Sequence, residues 1–63
     1  MDDIRIARGE TLEGLFWIVV YQYGKAELRC QHIETWIDKD LGEFFEANAD
    51  KMTLQEIEQV LKN

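Results

Sequence analysis

The run Leu15-Phe16-Trp17-Ile18-Val19-Val20-Tyr21-Gln22-Tyr23 constrains this chain more than any other stretch. It is too short to cross a membrane, which takes about 20 apolar residues, and too apolar to leave either side in water. In a strand, Phe16, Ile18 and Val20 point one way, and Leu15, Trp17, Val19, Tyr21 and Tyr23 the other. Both faces then need cover, and a chain of 63 residues has little left to provide it. A core of this size rarely supplies more than ~3–5 kcal/mol. A second molecule is therefore expected to complete the cover.

The usual reinforcements of small domains are missing. One cysteine excludes an internal disulfide, and Cys30 with His32 falls short of the four ligands of a closed zinc site. No metal or cofactor is expected. The single thiol fits a reducing compartment. The acidic start Met1-Asp2-Asp3 is unlike the basic head of a signal peptide. The chain reads as one cytoplasmic domain over residues 1–63, apolar enough at 46% to fold.

The net charge is −6, and its placement matters more than its size. Residues 1–33 are almost balanced. Residues 34–58 carry Glu34, Asp38, Asp40, Glu43, Glu46, Asp50, Glu56 and Glu58 against only Lys39 and Lys51. Phosphate contacts are made mainly by Lys and Arg, so direct binding to nucleic acid is not expected. A protein partner with a basic surface is the better electrostatic match.

Along the chain there is no proline, linker, repeat or low-complexity tract. Asp3-Ile4-Arg5-Ile6-Ala7 alternates as a short edge strand would, and Gly9-Glu10-Thr11 reads as a turn. β-branched and aromatic residues dominate Phe16–Tyr23. Gly24-Lys25 fits a type II′ turn, which takes glycine first. That turn sets Tyr23 opposite Ala26, Tyr21 opposite Leu28, Val19 opposite Cys30 and Trp17 opposite His32, an apolar set suited to a core. The other face holds Phe16, Ile18, Val20 and Ile33 among polar neighbours. A helical alternative exists for residues 12–33, because Leu12, Leu15, Phe16, Val19 and Tyr23 also share a helix face.

The second half reads as helical. Ile37, Leu41, Phe44, Phe45 and Asn48 share a face, with Trp36 at its flank. Two starts compete: Thr35 as cap with Asp38 at N3, or Asp40 as cap with Glu43 at N3. Gly42 weakens the early start. Thr53-Leu54-Gln55-Glu56 is a capping box, flanked by Met52 and Ile57 in staple positions. Leu54, Ile57, Val60 and Leu61 form the buried stripe of a second helix.

Four features bear on function. The first is a stripe of Lys39, Glu43, Glu46 and Asp50 on one helix face, either an electronegative docking surface or an ordinary solvated one. The second is the aromatic group Phe16, Trp17, Tyr21, Tyr23 and Trp36, more than a thin core hides, so one or two members belong at an interface. Cys30 and His32 form a thiol–imidazole pair with no orienting residue, and a buried inert thiol explains Cys30 better. Asp38-Lys39-Asp40-Leu41-Gly42 fails as a calcium loop, because Glu43 stands where glycine is required. No glycine-rich phosphate loop or nucleophile–base set is present, and a pocket of ~300 Å³ looks out of reach.

The sequence thus predicts an α+β fold, a β-hairpin or three-stranded antiparallel sheet followed by two helices. An all-α bundle is the alternative. It predicts a non-enzymatic interaction protein that forms a homodimer through Phe16, Ile18, Val20 and Ile33. Trp36, Asp40, Glu43, Glu46 and Asp50 would dock on a basic protein. Small acidic chains of this kind suit inhibitors or adaptors of nucleic-acid-handling proteins, including phage-encoded ones. The alternative function is an accessory subunit that joins a larger assembly through its apolar hairpin.

Overall fold

The computed structural model describes residues 4–63. Four strands, β1 (Arg5–Glu10), β2 (Phe16–Gln22), β3 (Lys25–Cys30) and β4 (Ile33–Asp38), form an antiparallel meander in chain order. Helix α1 (Lys39–Asn48), a single 3-10 turn (Ala49–Lys51) and helix α2 (Leu54–Lys62) follow. The α+β class holds, and the all-α alternative does not. The apolar run is a strand, as its β-branched and aromatic content favours.

Hairpin β2–β3 turns one residue earlier than expected. Tyr23 and Gly24 occupy the turn at φ 55° and 76°, the left-handed pair that a type I′ turn requires and that matches the twist of the flanking strands. The pairs become Tyr21–Ala26, Val19–Leu28 and Trp17–Cys30. The slip is two residues in register, an even number, so the side chains within β2 and β3 keep their expected faces, while Tyr23 and His32, expected in the core set, lie exposed in the turns.

The larger departure is β4. Residues 33–38 pair with β3 through Cys30–Ile33, Leu28–Thr35 and Ala26–Ile37. Ile33, Ile37 and Leu41 stand four apart, a spacing that satisfies a helix face and, for the first two, a strand face equally. With residues 33–38 in the sheet, neither expected helix start survives. Asp38 is the cap, its carboxylate accepting the Leu41 N–H at 2.7 Å. At the other end, the expected strand near Ile4 runs on through Gly9 and Glu10, so these two are not a turn; its expected first residue, Asp3, lies outside the described residues. The reversal is made at residues 11–15, where the buried Thr11 hydroxyl accepts the N–H groups of Glu13 and Leu15.

Both helices cover one face of the sheet. Trp17, Val19, Tyr21, Ala26, Leu28 and Cys30 point into it and are buried with Phe45, Ala49 and Ile57. The capping box at Thr53 is formed on both sides. Leu54, Val60 and Leu61 pack on the core beside the buried Ile57. Gly42 brings α1 close: a Cβ there would lie 2.9 Å from Ala26 Cβ and 3.1 Å from the Tyr21 ring.

Candidate functional site

The sheet face turned away from the helices is uncovered. The pairing sets four rows across it, Gln22, Lys25 and Asp38 making the one at the β2–β3 turn. Ile6, Val20, Glu27 and Trp36 form one row, and Arg8, Ile18, Arg29 and Glu34 the next. Glu10 and Phe16 continue the pattern on β1 and β2. Phe16 is 70% exposed, Trp36 58% and Ile6 51%, while Ile18 and Val20 are half-buried among them. Arg29 pairs with Glu27 at 3.0 Å and approaches Glu34 at 4.0 Å. The result is an apolar column on β2 widened by Ile6, with Trp36 beyond a charged column on β3.

Phe16, Ile18 and Val20 were expected on this face and lie on it. Ile33 does not. The reversal at Gln31 and His32 changes which parity faces the helices, so Ile33, paired with Cys30, packs on the core instead. Sequence reasoning missed Ile6, although the alternation of β1 was plain. The alternation alone assigned the isoleucines to neither face; in the fold Ala7 and Gly9 lie opposite the bulky Val19 and Trp17 on the covered side. Small residues alternating with isoleucine were the available signal.

The five expected docking residues are dispersed. Trp36 lies on β4 in the open face, across the sheet from the helices. Asp40 and Glu43 are exposed on α1. Glu46 and Asp50 are tied into the fold. The Asp50 carboxylate accepts the indole N–H of Trp17 at 2.9 Å. Glu46 accepts the Tyr21 hydroxyl at 2.8 Å and Arg5 Nη1 at 3.0 Å, and the Arg5 guanidinium lies 3.9 Å from the centre of the Tyr21 ring. The hydroxyl bond and the nearby cation hold Glu46 below the ordinary glutamate range, against the effect of burial. Burial first, then the Glu46 carboxylate, pushes Tyr21 up to about 12. The stripe of α1 that does face water is Asp40, Glu43, Phe44 and Ala47, with Phe44 43% exposed.

Cys30 is buried, and burial raises its thiol above the usual range, with Glu13 adding to it. A raised thiol is a poor nucleophile. His32 lies in the β3–β4 turn, bonded to Glu58 of α2 at 2.8 Å. Among the described residues no three His, Cys, Asp or Glu side chains gather into a metal site. No helix among them is long and apolar enough to cross a membrane. Concave volume exceeds the expectation from chain length. Three clefts meet at the β2–β3 turn, one of about 270 Å³ beside Arg5, Lys25 and Lys39, one of about 450 Å³ beside Tyr23, Lys25 and Trp36, and one of about 360 Å³ beside Gly24, Ile37 and Asp38. No protein-family model, curated protein or solved structure matches the chain.

Proposed function

We propose that this is a non-enzymatic interaction protein that works through its open sheet face, as an inhibitor, adaptor or accessory subunit. One observation carries the reading: Phe16, Ile6 and Trp36 are each more than half exposed on a single face, with Ile18 and Val20 between them. An apolar column on β2 widened by Ile6, rimmed by the charged residues of β3 with Trp36 beyond them, is the kind of patch that marks interaction sites on small soluble proteins. Aromatic residues within it are the type that dominates binding energy. The buried, unpaired Cys30 fits a reducing, cytoplasmic setting.

A benzophenone amino acid in place of Phe16 tests this. Irradiated in the native host, it should cross-link to whatever protein covers the face. The same probe in place of the exposed Lys51, on the helical side, serves as the control. No cross-link through Phe16 at any expression level would end the reading.

A second surface has its own support. Phe44 stands exposed beside Asp40 and Glu43 on the Asp40–Glu43–Phe44–Ala47 stripe, an aromatic anchor with carboxylates on its N-terminal side. That arrangement suits a basic protein surface. The benzophenone probe placed at Ala47 should then label a basic protein, and charge reversal at Asp40 and Glu43 should abolish that labelling. Labelling that survives both reversals would remove this second docking site.

A further inference from the structure

We propose that the open sheet face is covered by a second copy of this chain, sheet against sheet, giving a four-layered sandwich with the helices outside. This rests on the reading of that face as the interaction surface and names its occupant.

Charge selects the occupant. The face carries both signs in alternation: Arg8 with Glu10 on β1, Lys25, Glu27 and Arg29 along β3, and Glu34 on β4. Asp38 turns away to cap α1. The helical layer carries Asp40, Glu43, Glu46, Asp50, Glu56 and Glu58 against Lys39, Lys51 and Lys62, a net negative surface beside the balanced sheet face. A strongly basic protein is drawn to that layer and not to the sheet. A second copy shares the net charge of −6, and packing sheet against sheet is the arrangement that keeps the two acidic layers farthest apart. A nearly neutral face of mixed sign suits a surface patterned like itself, and packing two such faces turns both acidic layers outward.

The β2 and β3 columns also match under two-fold symmetry, while the outer strands set Ile6 against Arg8 and Trp36 against Glu34. A two-fold axis between the sheets and across the strands lays each strand on its own copy in reverse. Two-fold interfaces are self-complementary in this sense: if one residue meets another, the reciprocal contact also forms. With the axis between the Ile18 and Val20 rows, Ile18 meets Val20 of the other copy. In the same register Glu27 meets Arg29, and Arg29 meets Glu27, of the other copy. Twist rotates such sheets by about 30°, which leaves central rows in contact. Four strands at ~4.8 Å spacing and six residues at ~3.3 Å give a footprint of roughly 400 Å² per copy in projection. That is small beside stable interfaces, so the dimer is one that dilution dissociates.

Sedimentation velocity from about 1 µM to 1 mM, with acrylamide quenching of tryptophan at each concentration, tests the proposal. Trp17 is buried, so the quenchable emission reports Trp36. The wild type should pass from monomer to dimer as Trp36 becomes shielded. Glu27→Arg and Arg29→Glu should each weaken the dimer at least tenfold, because each sets like charges together twice. An equimolar mixture of the two variants should restore a dimer, since Arg at 27 then faces Glu at 29. The Glu27–Arg29 pair within one chain is broken in both variants and cannot be repaired by mixing. Circular dichroism confirms folding, and Phe16→Ser, at the most exposed position, gives a second test of the same face. A wild type that stays monomeric with Trp36 open overturns the second copy and leaves the face to a foreign protein. A dimer in which Trp36 stays open and Phe16→Ser has no effect overturns sheet-to-sheet packing and puts the second copy on another surface.

Discussion

Gly42 shows how a single residue is chosen by its neighbours and not by its own helix. Glycine in a helix interior is less favourable than alanine by about 1 kcal/mol, and on the sequence it argues against a helix start before residue 42. In the fold it is the place where α1 touches the sheet, with no room for a Cβ against Ala26 and Tyr21. Gly42→Ala should therefore destabilise the protein by about 1–3 kcal/mol, the range for overpacking, although helix propensity alone predicts a gain. Urea denaturation measures the difference. Tyr21 and Glu46 set the pH limits of the same contact. The folded Tyr21 holds its proton up to about 12, whereas an ordinary tyrosine releases it near 10. The folded state thus binds more protons in that window, and stability should fall as pH rises through it. Tyr21→Phe should delete the late step in a tyrosinate absorbance titration. For Glu46 the sign is reversed. Its folded carboxyl titrates below the ordinary value, so its contribution is present at neutral pH and is lost on acidification. In Glu46→Gln, acid unfolding should lose part of its pH dependence.

At the scale of elements, the parts that one stretch of chain decides were legible, and the parts that pairing decides were not. The β2–β3 hairpin follows from the composition of Phe16–Gln22, and the capping box of α2 from Thr53 and Glu56. The turn type was not readable, because a tyrosine at positive φ is uncommon and Tyr23 gives no local sign of it. β4 was hidden because Ile33 and Ile37 fit two periodicities, and β3 arbitrates between them only once it is in place. The residues expected to make contacts split in the same way: Phe16, Ile18 and Val20 share one strand and so share one face, while the facing of Ile33 and Trp36 depended on β4. A second strained turn gives the prediction at this scale. Gln31 has φ 55° between β3 and β4, a conformation that asparagine tolerates far better. Gln31→Asn should raise stability by up to about 1 kcal/mol, read as a higher melting temperature. An unchanged melting temperature would mean that the turn carries no such strain.

At the scale of the whole molecule, charge and apolar surface are sorted to opposite sides. One layer is acidic helix and the other is mixed, greasy sheet. The sorting predicts opposite salt responses for the two proposed contacts. Raising salt from roughly 50 to 500 mM shortens the Debye length about threefold. Self-association should strengthen, because two molecules of net charge −6 repel less. Capture of a basic protein by the Asp40–Glu43 stripe should weaken over the same range. Sedimentation at both salts separates them, and a self-association that weakens with salt would count against sheet-to-sheet packing.

All four strands precede both helices in the chain, and Phe45, Ala49 and Ile57, which shelter one side of the sheet, come only after it. A polypeptide cut short at Asp38 would carry a sheet bare on both sides, easy prey for proteases, so a premature stop codon there should leave no lasting product.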